Sequence, residues 1–170
     1  ATHGSINVMQ ALAQSCNYFF YEMGYRLGTN SKGNYDSALG LSKIEKYAKV
    51  LGLDMKSGVE ITERDPHFST ESAVHSAIGQ GSNAYTPVQL ARYVSTIANG
   101  GKNYSLTLLD KVVSSKGKTV LKKKSKLTNT VDASGSTWDA IHTGMREVIT
   151  EGTVYKYFKD TKINIAGKSG

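Results

Sequence analysis

The sequence predicts an α/β (α+β) chain dominated by helices, with one small hairpin and one strand near its end. Three observations carry this expectation. Apolar residues recur at helical spacing in five stretches, four of them opened by a Ser or Thr able to cap a helix. Two short β-prone runs flank a Ser-Ser-Lys-Gly turn. A last apolar run, Ile163-Asn164-Ile165-Ala166, leads into Lys168.

Taken in order, Ile6, Met9, Leu12 and Ala13 share one helical face, with Ser5 placed to cap the start. After Asn17, Tyr18-Phe19-Phe20-Tyr21 continues through Met23 and Leu27 to Gly28, a natural stop. A helix this aromatic on all sides is expected to be buried on several faces. Residues 29–37 are polar and Gly-rich and read as a loop. Ser42 and Glu45 form a capping-box pattern, followed by Ile44, Tyr47, Ala48 and Leu51 before Gly52.

From 53 to 86 no period holds, which predicts a long irregular connection. Thr86-Pro87-Val88-Gln89 is a second capping box with Pro at the favoured first position. Its helix is expected to bury Leu90, Ala91, Val94, Ile97 and Ala98 and to stop at Asn99-Gly100-Gly101. Leu106–Val113 and Lys118–Lys123 read as the hairpin. Ser136 opens a last helix through Trp138, Ile141, Met145 and Val148, and Ile163–Ala166 is read as a strand. No internal repeat or linker composition divides the chain.

The bulk numbers exclude several classes. The 170 residues, 39% hydrophobic and 21% charged, suffice for one globular unit with a core. No apolar run approaches the roughly 20 residues of a membrane span. The single Cys16 rules out an internal disulfide and a multi-Cys zinc site. The net charge of +7 favours polyanionic partners, and Lys122-Lys123-Lys124-Ser125-Lys126 concentrates it. No aromatics interleave there to stack bases, so no nucleic acid is expected; a solvated strand edge that discourages aggregation is the simpler reading.

Two short strings carry chemistry. Ser15 and Asn17 sit where one helix gives way to the next, so a hydroxyl and an amide project from a braced turn. Alone, such a pair is fully explained by helix capping. Lys168-Ser169-Gly170 after an apolar run offers a positive charge, a hydroxyl and room for a substrate backbone to lie close.

In context these strings are more specific. Gln10-Ala11-Leu12-Ala13-Gln14-Ser15-Cys16-Asn17-Tyr18-Phe19-Phe20 resembles the second-motif region of class B penicillin-binding proteins. Ile78-Gly79-Gln80-Gly81 with Thr86-Pro87-Val88-Gln89-Leu90-Ala91, then Ile97-Ala98-Asn99-Gly100-Gly101, and finally Ala166-Gly167-Lys168-Ser169-Gly170 resemble further blocks of that family, in its order. The resemblance implies the β-lactamase/transpeptidase-like (penicilloyl-serine transferase) fold, a sheet of about five strands flanked by helices. Residues 1–170 would be a partial transpeptidase domain holding the helical lobe and one active-site strand. The Ser-x-x-Lys region would lie upstream, and the last strands downstream.

The resemblance further implies D,D-transpeptidation: a serine acyl-enzyme that cross-links peptidoglycan stem peptides and is inhibited by β-lactams. By position, Ser15 would join the proton relay with Lys168, and Asn17 would bind the donor peptide or a β-lactam side chain. Lys168 and Ser169 would hold the substrate carboxylate, and Gly170 would allow edge-on docking. No cofactor or metal is implied. The partners would be stem peptides, β-lactams and the missing segments of the domain. The parent protein would act at the outer face of the bacterial cytoplasmic membrane, through an anchor on other sequence.

Two departures matter. Ser169 stands where Thr is the usual family choice, which keeps the hydroxyl. The nucleophile is not found: Ser115-Lys116-Gly117-Lys118 fits Ser-x-x-Lys but falls in the hairpin turn, where Ser and Lys do not share a helical face. This chain alone is therefore expected to be inactive.

Other patterns fail. Gly79-Gln80-Gly81-Ser82-Asn83-Ala84 fits a dinucleotide fingerprint, but the next helix has its own cap at Thr86. His3, His67, His75 and His142 lack metal-ligand spacing. Glu60, Glu63 and Asp65 read as solvated carboxylates of a polar loop. Two rival readings are a β-lactam-binding sensor domain of the same fold and a non-catalytic helical interaction domain. The second is favoured if Ser15, Asn17 and Lys168 lie more than about 10 Å apart.

Overall fold

The computed structural model describes residues 3–170. In chain order they form α1 (Val8–Ala13), α2 (Asn17–Gly28), α3 (Ser37–Val50), α4 (Ala73–Ser76) and α5 (Pro87–Ala98). Strands β1 (Lys102–Tyr104), β2 (Lys111–Val113), β3 (Thr119–Lys122) and β4 (Leu127–Thr130) follow, then α6 (Gly135–Thr150) and α7 (Tyr155–Phe158).

Helix starts are set by whichever side chain best satisfies the first free N–H groups. At α5 this is the expected box: Thr86 accepts from Gln89 N–H at 3.3 Å and Gln89 accepts from Thr86 N–H at 2.9 Å. At α1 the cap is Asn7, not Ser5. Asn7 and Gln10 exchange bonds of 2.9 and 3.0 Å, a reciprocal pair that Ser5, with Val8 three residues on, has no partner to make. At α3 the expected Ser42–Glu45 box is absent, because Asp36 accepts from Ala38 N–H at 2.8 Å and starts the helix earlier. Ser42 then lies mid-helix and donates to Leu39 O. At α6 Ser134 caps through Thr137 N–H, which places Ser136 inside the first turn.

Two helices end as expected. Past α3, Leu53 N–H reaches Ala48 O and Gly52 N–H reaches Lys49 O, with Gly52 at φ +86°. Past α5, Gly101 bonds Thr96 O and Gly100, at φ +71°, bonds Ile97 O. Both are Schellman closures with glycine in the left-handed position.

Close backbone approach organises the packing. Helix α1 lies on α6, where a Cβ at Gly144 would meet the Leu12 side chain at 2.8 Å and Met9 Cα at 3.1 Å. A Cβ at Gly152, just past α6, would strike the Ala13 carbonyl oxygen and approach Val148 Cα to 2.8 Å. Helix α2 lies on α3 and α4 in the same manner: Gly24 faces the backbone of Ala73 and Val74, and Gly28 faces Gly40 and Tyr35. Gly28 is the last residue of α2, as expected, but it ends the helix without a left-handed turn, with Thr29 as an extended C-cap, and its missing side chain serves the packing.

The aromatic residues of α2 are not buried on several faces. Tyr18 is 79% exposed, and Met23 and Tyr25 are also exposed. The fully buried positions of this helix are Gly24 and Gly28, which make its close backbone contacts, while Phe19, Phe20, Tyr21 and Leu27 are half-buried.

Helix α5 inverts its expected face as well. Gln89 (0% exposed), Arg92 (2%) and Thr96 are buried together with Ile97, while Leu90 (44%), Val94 (48%), Ala91 and Ala98 are exposed. The reason lies in the irregular connection before it, whose buried backbone carbonyls need donors. Arg92 donates to Lys56 O at 2.9 Å, to Met55 O at 2.7 Å and to Gly52 O, and Gln89 donates to Arg64 O at 2.9 Å. Glu63 completes the network, accepting from Ser57 N–H and Oγ at 2.8 and 2.9 Å and from Thr86 Oγ1 at 3.1 Å. Glu63 is therefore buried and structural, not a solvated carboxylate. Burial opposes its charge, but these donors, with Gln89, hold its pKa below the ordinary carboxylate value.

Two two-stranded antiparallel sheets form rather than one hairpin. Strand β1 pairs with β4 (Lys102 opposite Thr130) and β2 with β3 (Lys111 opposite Lys122), each with a register irregularity. Residues 161–170 contain no strand, so the expected strand through Ile163–Ala166 to Lys168 is corrected to an irregular segment. A strand needs a ladder partner, and none lies beside it among the described residues. It docks instead on α6, through Gly167 N–H to Met145 O at 3.0 Å and Arg146 Nη1 to Ile165 O at 2.5 Å.

Two outcomes test this packing. Gly152→Ala should cost about 1–3 kcal/mol in urea denaturation, whereas Gly135→Ala, facing open space, should change stability by less than about 0.5 kcal/mol. Thr107 Oγ1 and Leu108 N–H, at 2.6 and 2.9 Å, hold Glu60 at a pKa of about 2. A depressed carboxylate stabilises the fold above its ordinary value of 4.5 and loses that contribution as pH falls toward 2. The midpoint of urea unfolding should fall across this window, and Glu60→Gln should flatten that part of the profile.

Candidate active site

The turn joining α1 to α2 is a third Schellman closure, but with a non-glycine residue in the left-handed position. Ser15 N–H bonds Leu12 O at 3.2 Å and Cys16 N–H bonds Ala11 O at 2.9 Å. Ser15 has φ +50°, the only positive φ outside glycine among the described residues. Such a conformation costs an L-residue about 1–2 kcal/mol. At the ends of α3 and α5 the chain uses glycine; here it keeps a hydroxyl despite the strain.

That hydroxyl meets the terminal segment. Lys168 Nζ donates to Ser15 Oγ at 2.6 Å, and also to Ser169 O at 2.9 Å and Ser169 Oγ at 3.4 Å. Ser169 Oγ lies 3.2 Å from Thr153 Oγ1. Ser15, Asn17, Lys168, Ser169 and Gly170 all line one cleft of about 610 Å³. The five candidate residues are therefore brought together, on two segments that α6 holds side by side. Burial of the ammonium against this wall lowers the Lys168 pKa, which raises the share of neutral amine able to accept a proton.

The same cleft is also lined by Leu12, Phe20, Ile78, Gly79, Gln80 and Tyr93. Gly79 has φ +78° and nothing within 4 Å of a built Cβ, so its turn is open toward the cleft. Thr153, Tyr93 and Phe20 escaped the sequence reading. Thr153 had a signal: Gly152-Thr153 breaks the α6 pattern where a close approach was needed. Tyr93 had none, being one aromatic residue on a helix whose buried face was itself misassigned. Among the described residues, no group of three or more His, Cys, Asp or Glu is placed to hold a metal. His142 contacts the Ile97 carbonyl at 2.7 Å. The Gly79–Ala84 turn does not open α5, which starts from its own Thr86 cap.

The arrangement pairs an amine of lowered pKa with a strained hydroxyl, beside an exposed amide and a second hydroxyl. That is equipment for moving a proton and for binding a polar, carboxylate-bearing ligand. Solved structures share the fold. Penicillin-binding protein 2B from Streptococcus pneumoniae superposes with a TM-score of 0.82 at 25% identity, over 97% of this chain and 30% of that one. The D,D-transpeptidase domain of a peptidoglycan glycosyltransferase from Eggerthella lenta gives 0.78 at 19%, over 100% of this chain and 42% of that one.

A family model described as "Penicillin binding protein transpeptidase domain" matches residues 1–170, and the chain belongs to that family. Among curated relatives, penicillin-binding protein 2A of Bacillus subtilis is 30% identical over 98% of this chain and 25% of its own length. Penicillin-binding protein H of Bacillus subtilis is 27% identical over 98% and 25%. Peptidoglycan D,D-transpeptidase MrdA of Salmonella typhimurium is 27% identical over 99% and 28%. The chain thus spans about a quarter of the length of these relatives.

Strain at Ser15 is separable from its chemistry. Ser15→Gly and Ser15→Ala both remove the hydroxyl, but only glycine relieves the left-handed backbone. Ser15→Gly should be the more stable of the two by about 1 kcal/mol in urea denaturation.

Proposed function

We propose that this chain is part of a serine D,D-transpeptidase that cross-links peptidoglycan stem peptides and is blocked by β-lactams. The observation that carries the reading is the 2.6 Å bond from Lys168 to Ser15, between residues far apart in sequence, in a cleft shared with Asn17 and Ser169. In this reading a serine on neighbouring sequence attacks the penultimate D-Ala carbonyl and releases the terminal D-Ala. Ser15 and Lys168 relay the proton to the leaving amine, and an amine from a second stem peptide then takes the acyl group. Asn17 hydrogen-bonds the donor peptide, and Lys168 with Ser169 holds its terminal carboxylate. Gly170 leaves space for the substrate backbone.

The nucleophilic Ser-x-x-Lys and most of the sheet belong, in this proposal, to sequence outside these 170 residues. Three features support it. The only match, Ser115 to Lys118, falls in the β2–β3 turn, closed by Gly117 at φ +77°. The chain exposes 11236 Å², where a compact monomer of its mass exposes roughly 8,200 Å². Residues 161–170 contain no strand and join no ladder. No helix among the described residues is long and apolar enough to cross a membrane, so an anchor holding the parent protein at the outer face of the cytoplasmic membrane would also lie elsewhere.

Fluorescent penicillin tests this directly. The 170-residue chain should take up no label that survives denaturation, whereas the chain extended to include an upstream Ser-x-x-Lys should label. In that longer protein Ser15→Ala and Lys168→Ala should each slow acylation by about 10²-fold or more. A stable label on the short chain, or unchanged acylation in both variants, would overturn the proposal.

A further inference from the structure

The whole net charge of this protein sits on one hairpin. Residues 111–126 contain seven lysines and no acid, and the remaining residues hold fourteen basic and fourteen acidic side chains. The net charge of +7 is thus a local property of β2, β3 and the segment that follows. Every residue of β2 and β3 is exposed, and so are Lys123, Lys124 and Lys126. Of these seven lysines, only Lys123 has an acidic partner among the described residues, Glu60 at 3.9 Å. In the ladder, Lys111 lies directly opposite Lys122. Like charges facing each other across strands are destabilising, and an isolated two-stranded sheet is marginal already. Guarding a strand edge needs one or two lysines; seven with no interspersed acid form a concentrated positive field.

We infer that this hairpin docks a linear polyanion, a phosphodiester polymer without aromatic bases, independently of the cleft. Charge complementarity selects a polyanion: a repeating chain supplies one phosphate after another along the lysine row and relieves the Lys111–Lys122 repulsion. Residues 105–131 contain no aromatic side chain, so the hairpin lacks both the platforms that stack nucleobases and the Trp and Tyr anchors of a bilayer surface. Docking here would hold the protein on a charged matrix while the cleft works on a different ligand.

The test uses the 170-residue chain with poly(glycerol phosphate), following tryptophan-independent binding by calorimetry across a salt series. One variant carries Lys111→Gln, Lys118→Gln, Lys122→Gln and Lys124→Gln. A charge-matched control carries Lys32→Gln, Lys46→Gln, Lys159→Gln and Lys162→Gln, all at exposed positions. The hairpin variant should weaken binding at least tenfold, and its slope of log K against log salt should fall by about 3, as for four lost phosphate contacts. The control should retain the greater part of both, and thermal unfolding of the hairpin variant should show it folded. Equal losses in the two variants would reduce the effect to overall charge and overturn the inference. So would tighter binding to single-stranded DNA, or binding confined to vesicles of phosphatidylglycerol and phosphatidylcholine.

Discussion

The site depends on how closely α1 can lie against α6. Glycine at 144 and 152 lets two backbones approach to a distance that any side chain would forbid. Thr153 N–H also bonds the Ala13 carbonyl across this seam at 3.2 Å. From it hang both halves of the cleft. Helix α1 ends in the Ser15 turn, and α6 carries the segment leading to Lys168 through Met145 and Arg146. Moving either helix outward by the width of a methyl group would loosen this packing and shift the Ser15 turn relative to the segment that carries Lys168.

A second organising principle is polar rather than apolar. The connection between α3 and α5 has too little regular structure to satisfy its own carbonyls, so α5 turns Gln89 and Arg92 inward and supplies donors. A wholly buried glutamine and arginine are tolerable because Gln89 Nε2 and both terminal nitrogens of Arg92 are engaged and Glu63 lies nearby, although Arg92 Nε is buried without a partner. The exposed apolar residues of α5 follow from the same choice, since one helix cannot bury both faces against one neighbour.

Much of the site was legible in the sequence and rather less of its scaffold. Ser15, Asn17 and Lys168 were readable because short blocks around them keep a recognisable order, whatever their surroundings. The Thr86 cap and the Gly52 and Gly100 closures were readable because each is decided within five or six residues. The α5 face was not, because periodicity counts apolar residues and is blind to carbonyls that need donors from afar. The second sheet escaped for a related reason: β1 and β4 are three and four residues long and are recognisable only as a pair. The missing strand at Ile163 failed in the opposite direction, as an apolar run has β-propensity but no ladder without a neighbour.

The contact between Lys168 and Ser15 joins positions 153 residues apart. Closing so long a loop loses chain entropy that no local hydrogen bond recovers. The helical hairpins on either side are short-range and can form first. The contact between Ser15 and Lys168 is therefore expected to be among the last features of this region to assemble, since the amine reaches the turn only once residues 165–167 have docked on α6.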